Sequence, residues 1–358
     1  MVSWKYMPAA AAVVGVSGWL TATSGTGADG EALLESARQQ FEPIPTEPPE
    51  LPGIPGTPEM VGLGTMLYFD PRLSLSGTIS CNSCHIVGMG GVDVQEKSIG
   101  HLWQPGGRNA PTVLNAIFNI SQFWDGRAKD LAEQAGGPVV NPIEMASTPE
   151  RTVAVLQSIP GYIEAFAGAF PGETEPVTLE NAQKTIAAFE ATLITPNAPF
   201  DRFLRGDISA LDEREKQGLA LFMEAGCSTC HNGINVGGQR YATFGAVAEP
   251  GEDLRPLDDE GRFLVTGSAN DSYSFKVPTL RNIALTPPYF HSGQIWDLRE
   301  AVKVMGASQL GAELSEGEIA QITAFLGSLT GEQPEVVFPT LPPSSPTTPR
   351  PEPFTAIP

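Results

Sequence analysis

Two short cysteine–histidine motifs contain the residues of this chain that are best suited to chemistry. The first is Cys81, Cys84 and His85, and the second, 146 positions later (227 − 81), is Cys227, Cys230 and His231. In a C-x-x-C-H motif, the two thiols can form thioether bonds to the vinyl groups of a haem, and the adjoining imidazole then becomes an axial ligand of the iron. The repeat therefore predicts two covalent c-type haems.

The cysteine count favours this interpretation over two others. All four cysteines of the chain lie in the two motifs, so none is left for a structural disulfide or a nucleophile. A C-x-x-C pair could alternatively be a thiol redox pair or half of a zinc site. A zinc site would require the two motifs to meet, and it would leave the histidine after each pair without a role.

Length and composition limit the class of protein further. The chain has 358 residues, a formal net charge of −20, 38 glycines and 33 prolines. This length is sufficient for two domains, and the glycine and proline content favours long, structured loops. The acidic balance argues against nucleic acid as a partner, because phosphate binding requires clustered Lys and Arg. An acidic surface could steer a basic protein or a cation to its site, or it could serve solubility alone.

The N-terminus has the pattern of an export signal. Lys5 precedes an apolar run over residues 9–20, and small residues follow as far as Ala28, with residues 26–28 as a candidate cleavage site. The run is short and rich in Gly, Ala and Ser for a membrane span, so an uncleaved anchor is the alternative. We predict a signal peptide or anchor over residues 1–28 and a periplasmic protein, since c-type haem is attached outside the cytoplasm.

Helix signals divide the remaining chain into two similar units. Thr57 and Pro58 begin a helix before the first motif, and residues 211–225 form an amphipathic helix before the second. A later capping box at Ser315 begins the helix that closes the second unit. The sequence thus predicts a mainly α fold with two cytochrome c-like domains, each with one covalent c-type haem. The predicted segments are a proline-rich lead-in (29–56), an N-terminal haem domain (57–196), a C-terminal haem domain (197–343) and a disordered proline-rich tail (344–358).

The sixth ligand of each iron decides what the haems can do. For the second haem, the candidates within its own domain are Met305, on a helix-like run that ends before Gly306, and His291. The position of Met305 suits the methionine of a cytochrome c domain, and a thioether ligand raises the potential of the iron.

For the first haem the candidates are His101, Met89, Met145 and Met223. His101 lies in a loop among glycines, which would allow the loop to move, and a histidine ligand gives the lower potential. A haem whose sixth ligand can depart is a site for small-molecule chemistry.

A series of short runs resembles the bacterial dihaem cytochrome c peroxidases. The runs are FDPRLS (69–74), CNSCH (81–85), GRNAPT (107–112), QFWDGR (122–127), PIEM (142–145), CHNGINVGG (230–238), VPTLRN (277–282), PYFHSG (288–293) and VMG (304–306). They occur in order over about residues 57–340. The resemblance implies an enzyme that reduces hydrogen peroxide to water with electrons from a small periplasmic cytochrome c or cupredoxin.

The resemblance also assigns roles to individual residues. It makes the N-terminal haem peroxidatic, with His101 as a detachable ligand, and the C-terminal haem the electron entry, with Met305 as a stable ligand. The acid–base carboxylate corresponds to Glu144, which would manage the protons of peroxide, and its amide neighbour to Gln134. The tryptophan between the haems corresponds to Trp124.

A calcium site at the domain interface and a homodimer are implied in the same way. The calcium ligands correspond to Asn109, Thr286 and Pro288, the last two through backbone carbonyls, which suits a hard cation. The alternatives are a dihaem electron-transfer protein without turnover, which would not need Glu144, and a dihaem enzyme that matures a tryptophan cofactor, in which a tyrosine replaces the methionine ligand.

Overall fold

The helices begin where capping residues in the sequence predict them. The computed structural model describes residues 26–355. Thr57 Oγ1 accepts a hydrogen bond from the backbone N–H of Met60, at the start of the helix that precedes the first haem motif. The side chain of Ser315 and that of Glu318 each accept a hydrogen bond from the other's backbone N–H, as a capping box requires. The prediction of a mainly α protein is confirmed.

Within residues 26–355 the regular elements are twelve α-helices, several single-turn helices and one two-stranded sheet. The α-helices are α1 (Thr26–Arg38), α2 (Pro58–Phe69), α3 (Cys81–Cys84), α4 (Leu131–Val140), α5 (Pro149–Gln157), α6 (Pro160–Ala169), α7 (Leu179–Ala191), α8 (Pro199–Leu204), α9 (Glu213–Glu224), α10 (Phe263–Thr266), α11 (Leu298–Met305) and α12 (Glu316–Gly327). Strands β1 (Tyr241–Thr243) and β2 (Ser274–Lys276) are antiparallel, with Ala242 opposite Phe275.

Each haem motif follows a helix that crosses a later helix at a glycine. In the first domain, a Cβ at Gly64 of α2 would overlap the carbonyl oxygen of Thr185 on α7. In the second domain, a Cβ at Gly218 of α9 would overlap the carbonyl oxygen of Gln321 on α12. Only glycine permits this close approach. The two crossings anchor two separate apolar cores. Leu193 belongs to the first core and Phe200 to the second.

The N-terminal part of the predicted lead-in differs from expectation. Instead of a proline-rich extended segment, it begins with helix α1, and Leu34, Ala37 and Phe41 are buried in the core of the second domain. The apolar spacing of these three residues explains the helix, which the prolines further along the chain had obscured. The predicted export signal over residues 1–28 lies outside the described residues except for its last three, which begin α1.

The predicted disordered tail also differs from the structure. Residues 344–355 lie along the surface of the first domain, where Arg151 donates hydrogen bonds to Glu352 Oε1 and to the carbonyl oxygen of Arg350. The backbone N–H of Glu352 donates to Leu75 O at 2.8 Å. The composition of the segment suggests disorder, but these partners lie far away in sequence. In the described part of the chain, no helix is long and apolar enough to cross a membrane.

Candidate functional site

The first haem motif lies at the end of the loop that follows α2. Cys81 and Cys84 are the ends of the single-turn helix α3, and both are half-buried. Burial raises the pKa of both thiols, that of Cys84 to about 11. The hydroxyl of Tyr68 donates a hydrogen bond to the carbonyl oxygen of His85 at 2.6 Å and so fixes the backbone of the ligand.

The imidazole of His85 meets the requirements of an iron ligand. Burial lowers its pKa, so the ring is held neutral, with a lone pair available for a metal. The ring follows directly after Cys84, so a haem attached to the two thiols would lie beside it. The residues of the motif therefore fit a covalent haem.

The second haem motif opens into a cavity of about 450 Å³. Cys227, Cys230 and His231 line it, and Met305 lines the same cavity from the last turn of α11. Burial lowers the pKa of His231 to about 4, and its Nδ1 lies 3.4 Å from the carbonyl oxygen of Val236. A metal-binding histidine commonly donates its second ring N–H to a carbonyl in this way. The residues therefore fit a haem held between a histidine and a methionine.

His291, the other candidate ligand, lines the same cavity but is packed among aromatic rings. Its ring stacks on Phe275 with the centroids 4.1 Å apart, and its Nε2 lies 3.9 Å from Asp259 Oδ2. Burial is the main cause that lowers its pKa to about 4. These contacts enclose His291 between aromatic rings, so packing accounts for its burial.

His101 and Glu144 lie together on the first domain. The backbone N–H of His101 donates to Glu144 O at 2.8 Å, so the two loops are joined directly. The ring of His101 is buried, and its Nε2 lies 2.7 Å from the carbonyl oxygen of Thr355. The next two residues, Leu102 and Trp103, have φ values of 56° and 62°, which non-glycine residues rarely adopt. This loop is strained, as expected of a segment that moves.

The carboxyl group of Glu144 is half-buried and hydrogen-bonded. Its Oε1 accepts a hydrogen bond from Asn141 Nδ2 at 2.7 Å. Burial raises its pKa and is the largest influence, while Arg127 and the Asn141 hydrogen bond act in the opposite direction. The next residue, Met145, accepts a hydrogen bond from the backbone N–H of Leu75 at 2.9 Å, which holds this loop beside the segment that leads into the first haem motif. The structure therefore brings Glu144, His101 and the first motif into one region.

Gln134 is not joined to Glu144 by a hydrogen bond in the described part of the chain. It lies on α4, half-buried, and its side chain makes no hydrogen bond to another predicted site residue in residues 26–355. Its backbone N–H donates to Asp130 O as part of the helix. Its catalytic role therefore remains a prediction from the resemblance.

Trp124 lies between the two domains. Its Nε1 donates to Asn109 O at 2.9 Å, and its carbonyl oxygen accepts from the backbone N–H of Lys276 in the second domain. The indole lines the second haem cavity, with its ring centroid 6.1 Å from that of His291. Trp124 thus has a partner in each domain, and its place between the haems stays a prediction.

The residues predicted to bind calcium all line the second haem cavity. They are Asn109, Thr286 and Pro288. Asn109 is tied to both domains, because its Nδ2 donates to Gln95 O and its backbone N–H donates to His291 O, each at 2.8 Å. Across residues 26–355, no group of three or more His, Cys, Asp or Glu side chains is arranged to hold a metal. The ligands predicted here are instead an amide and the two backbone carbonyls of Thr286 and Pro288, which suits calcium.

Two features of the site were not predicted. An ion-pair network joins the domains: Arg108 binds Asp125 and Asp259, each at 2.6 Å, and Asp125 also binds Arg127. In addition, Lys276 is buried on β2 and lines the second haem cavity, and burial lowers its pKa to about 8. Neither feature has a local sequence signal, because the partners are brought together only by the domain interface.

Comparisons with known proteins agree with this site. A family model described as "Di-haem cytochrome c peroxidase" matches residues 58–209, and one described as "Cytochrome c" matches residues 215–330. The chain is 53% identical to the cytochrome c551 peroxidase of Pseudomonas aeruginosa over 90% of this chain and 94% of that protein. It is 50% identical to the cytochrome c551 peroxidase of Nitrosomonas europaea over 90% of this chain and 93% of that protein.

A solved structure supports the fold. The crystal structure of a MauG-like protein associated with microbial copper homeostasis matches with a TM-score of 0.72 and 29% identity, covering 81% of this chain and 94% of that one. The prediction of two cytochrome c-like domains is thereby confirmed, and with it two c-type haems. The chain belongs to the bacterial dihaem cytochrome c peroxidases, and it is an oxidoreductase that acts on hydrogen peroxide.

Proposed function

We propose that this enzyme reduces hydrogen peroxide in the first domain with electrons that enter through the second. One observation carries this division of labour. Met305 shares a cavity with His231, so these two side chains would hold the second haem from both sides. The Nε2 of His101, in contrast, contacts the carbonyl oxygen of Thr355, so the first haem would be held by His85 and could take peroxide as a ligand.

Glu144 is the group that moves protons. When bound, the first haem supplies an iron that binds peroxide and accepts electrons singly. Glu144 Oε1 is held by Asn141, so Oε2 is the atom that takes a proton from the incoming peroxide and returns it to the leaving oxygen. The products balance as two waters from one peroxide, two electrons and two protons. Because Glu144 only passes the peroxide's own proton from one oxygen to the other, both consumed protons come from solvent.

Trp124 and Asn109 connect the two domains. The chain from Trp124 Nε1 through Asn109 to His291 O consists of short hydrogen bonds that cross the interface. Calcium held by Asn109, Thr286 and Pro288 would stabilise this interface, and Trp124 would lie on the route of electrons between the haems. Gln134 would assist Glu144. Our gating hypothesis is that reduction in the second domain, with calcium present, would shift this interface and release His101 from the first iron.

The donor, the compartment and the assembly complete the proposal. The donor is a small cytochrome c or cupredoxin, and the net charge of −20 favours a partner with a basic surface. The compartment is the periplasm, in agreement with the export signal pattern at residues 1–28. The enzyme is a homodimer, as the family resemblance implies, and light scattering of the haem-loaded protein tests this.

The substitution Glu144→Gln tests the catalytic role. Turnover with peroxide and a reduced cytochrome c should fall by about 10²- to 10⁴-fold, the usual contribution of a general acid–base group. Because burial raises the pKa of Glu144, the acidic limb of the wild-type pH profile should lie above the ordinary carboxyl range, and Gln should abolish that limb. Haem spectra should not change.

The matched control is Glu133→Gln, an equivalent change at an exposed carboxylate on α4. It should retain wild-type turnover. An unchanged turnover in the Glu144 variant would show that this carboxyl group is not the acid–base residue. The electron-transfer alternative predicts instead that the rates of reduction and reoxidation are the same in the wild type and in the Glu144 variant. Met305 argues against the cofactor-maturing alternative, because enzymes of that kind have a tyrosine in place of the methionine ligand.

A further inference from the structure

The C-terminal segment, defined as residues 344–355, is attached to the first domain along its length. Arg72 Nη1 donates to Ser344 Oγ at 3.0 Å, and Ser158 Oγ donates to Thr348 Oγ1 at 2.9 Å. Arg151 then holds Glu352 at 3.1 Å, as described above. Each of these partners belongs to the first domain. The segment therefore packs on the first domain, although it comes directly after the second domain in sequence.

The surface beneath this chain terminus is shaped to receive it. A Cβ at Gly77 would lie 2.8 Å from Pro351 Cγ, and a Cβ at Gly161 would lie 2.6 Å from Pro342 Cβ, just before the segment. Any other residue at these two positions would displace the chain. Four prolines within residues 344–355 also restrict the free segment, which lowers the entropy lost on docking.

The segment ends at the ring of His101. The Nε2 of His101 lies 2.7 Å from the carbonyl oxygen of Thr355. A carbonyl oxygen only accepts hydrogen bonds, so in this contact Nε2 carries the hydrogen and has no lone pair to offer a metal. The other nitrogen, Nδ1, is bonded to the ring carbon that carries Cβ. If Nδ1 approached the iron, Cβ would therefore strike the plane of the haem. Nε2 is thus the atom that can reach the iron, and it cannot bind the iron and Thr355 together.

We propose that the C-terminal segment is a positioning element that holds His101 away from the iron of the first haem. The proposal rests on the proposed role of His101 as the detachable sixth ligand. Docking of the segment and ligation by His101 exclude each other, so each weakens the other by the same factor. The segment thereby favours the form of the enzyme that is open to peroxide.

The test uses the haem-loaded enzyme and two variants that loosen the segment. One lacks residues 351–358, and the other is Arg151→Ala. The ratio of low-spin to high-spin first haem is measured by electron paramagnetic resonance in the oxidised and half-reduced states. A single hydrogen bond of this kind shifts an equilibrium by about three- to tenfold, so we expect both variants to raise the low-spin ratio by that factor.

Arg299→Ala is the matched control, because Arg299 also holds a glutamate, Glu316, through its side chain and backbone oxygen, but in the second domain. It should leave the ratio unchanged. The positioning proposal is overturned if the deletion leaves the ratio unchanged in both states.

A third variant separates this failure from a failure of the proposed function. His101→Ala is combined with the deletion of residues 351–358. If the low-spin first haem persists in the combined variant, His101 is not its ligand and the proposed function is wrong at that point. If the low-spin form disappears there while the deletion alone has no effect, the ligand role stands and only the positioning role falls.

Discussion

Gly64 of α2 faces Thr185 and Phe189 of α7, and Gly218 of α9 faces Gln321 and Phe325 of α12. In each domain the facing residues are four positions apart, so the two crossings share one contact pattern. The domains differ in the segments that carry the candidate sixth ligands. A common helix pair therefore precedes each haem motif, while the segments around it vary.

The two candidate sixth ligands illustrate this difference. Met305 lies at the end of helix α11, whose backbone is regular and whose N-cap Asp297 accepts hydrogen bonds from Arg299 and Glu300. His101 lies in a loop that is followed by two non-glycine residues with positive φ. A helix fixes a ligand in one place, whereas a strained loop with an alternative partner can release it.

The largest expected effect is at the shared crossing. Gly64→Ala and Gly218→Ala each place a methyl group against a backbone carbonyl of the facing helix, which cannot move as a flexible side chain would. Each substitution should lower the free energy of unfolding by about 3 kcal/mol, measured by denaturant unfolding of the haem-loaded protein.

Gly62→Ala is the control for this comparison, because it lies on the same helix as Gly64 with open space around its Cβ position. Alanine there should stabilise α2 by about 0.5–1 kcal/mol. If Gly64→Ala were tolerated while Gly218→Ala was not, the two domains would not share one packing frame.

Much of this fold follows from local sequence signals. The caps at Thr57 and Ser315 and the two C-x-x-C-H motifs are contiguous in sequence, so the helices and haem positions could be predicted from them. Helix α1 has a local signal in the spacing of Leu34 and Ala37, but the prolines that follow it indicate an extended segment. The C-terminal segment has no such signal, because its stability comes from distant partners such as Arg151. The same reason hid the Thr355 contact of His101, which no spacing rule indicates.

A smaller effect is expected at the second haem from Met305→Leu. Leucine preserves volume and helix propensity but removes the thioether, so the second haem should become high-spin and its reduction potential should fall on the order of 0.1 V. Spectroelectrochemical titration measures both quantities. Met223→Leu, in the helix before the second motif, is the control and should change neither.

The outcome for Met305→Leu also tests the choice of ligand. A second haem that stays low-spin with an unchanged potential would show that another side chain, with His291 in the same cavity as the first candidate, is the sixth ligand.

The closing helices of the two domains differ at one buried position. Glu190 lies five residues after Thr185 on α7 (190 − 185), and Leu326 lies five residues after Gln321 on α12 (326 − 321), so the two positions correspond. Leu326 lines the second haem cavity. Glu190 is buried, and its Oε2 has no hydrogen-bond partner among the residues that the structure describes. Its charge raises the pKa of Cys81, so it lies near the first haem motif.

The smallest expected effect is therefore a pH dependence that belongs to the first domain alone. Burial raises the pKa of Glu190 to about 8. The folded state then binds a proton that the unfolded chain releases above the ordinary carboxyl pKa, so this contribution to stability is complete at acid pH and is lost as pH rises towards about 8. Glu190→Gln removes the charge, and above that pH it should stabilise the protein by about 2 kcal/mol.

Denaturant unfolding at a series of pH values measures this effect, with Glu180→Gln on the exposed face of the same helix as control. A difference between wild type and Glu190→Gln that does not grow as pH rises would show that Glu190 is ionised and paired in the folded enzyme. The first domain would then carry a buried negative charge beside its haem at the position where the second domain carries Leu326. That charge would lower the potential of the first haem relative to the second, in the same direction as histidine ligation.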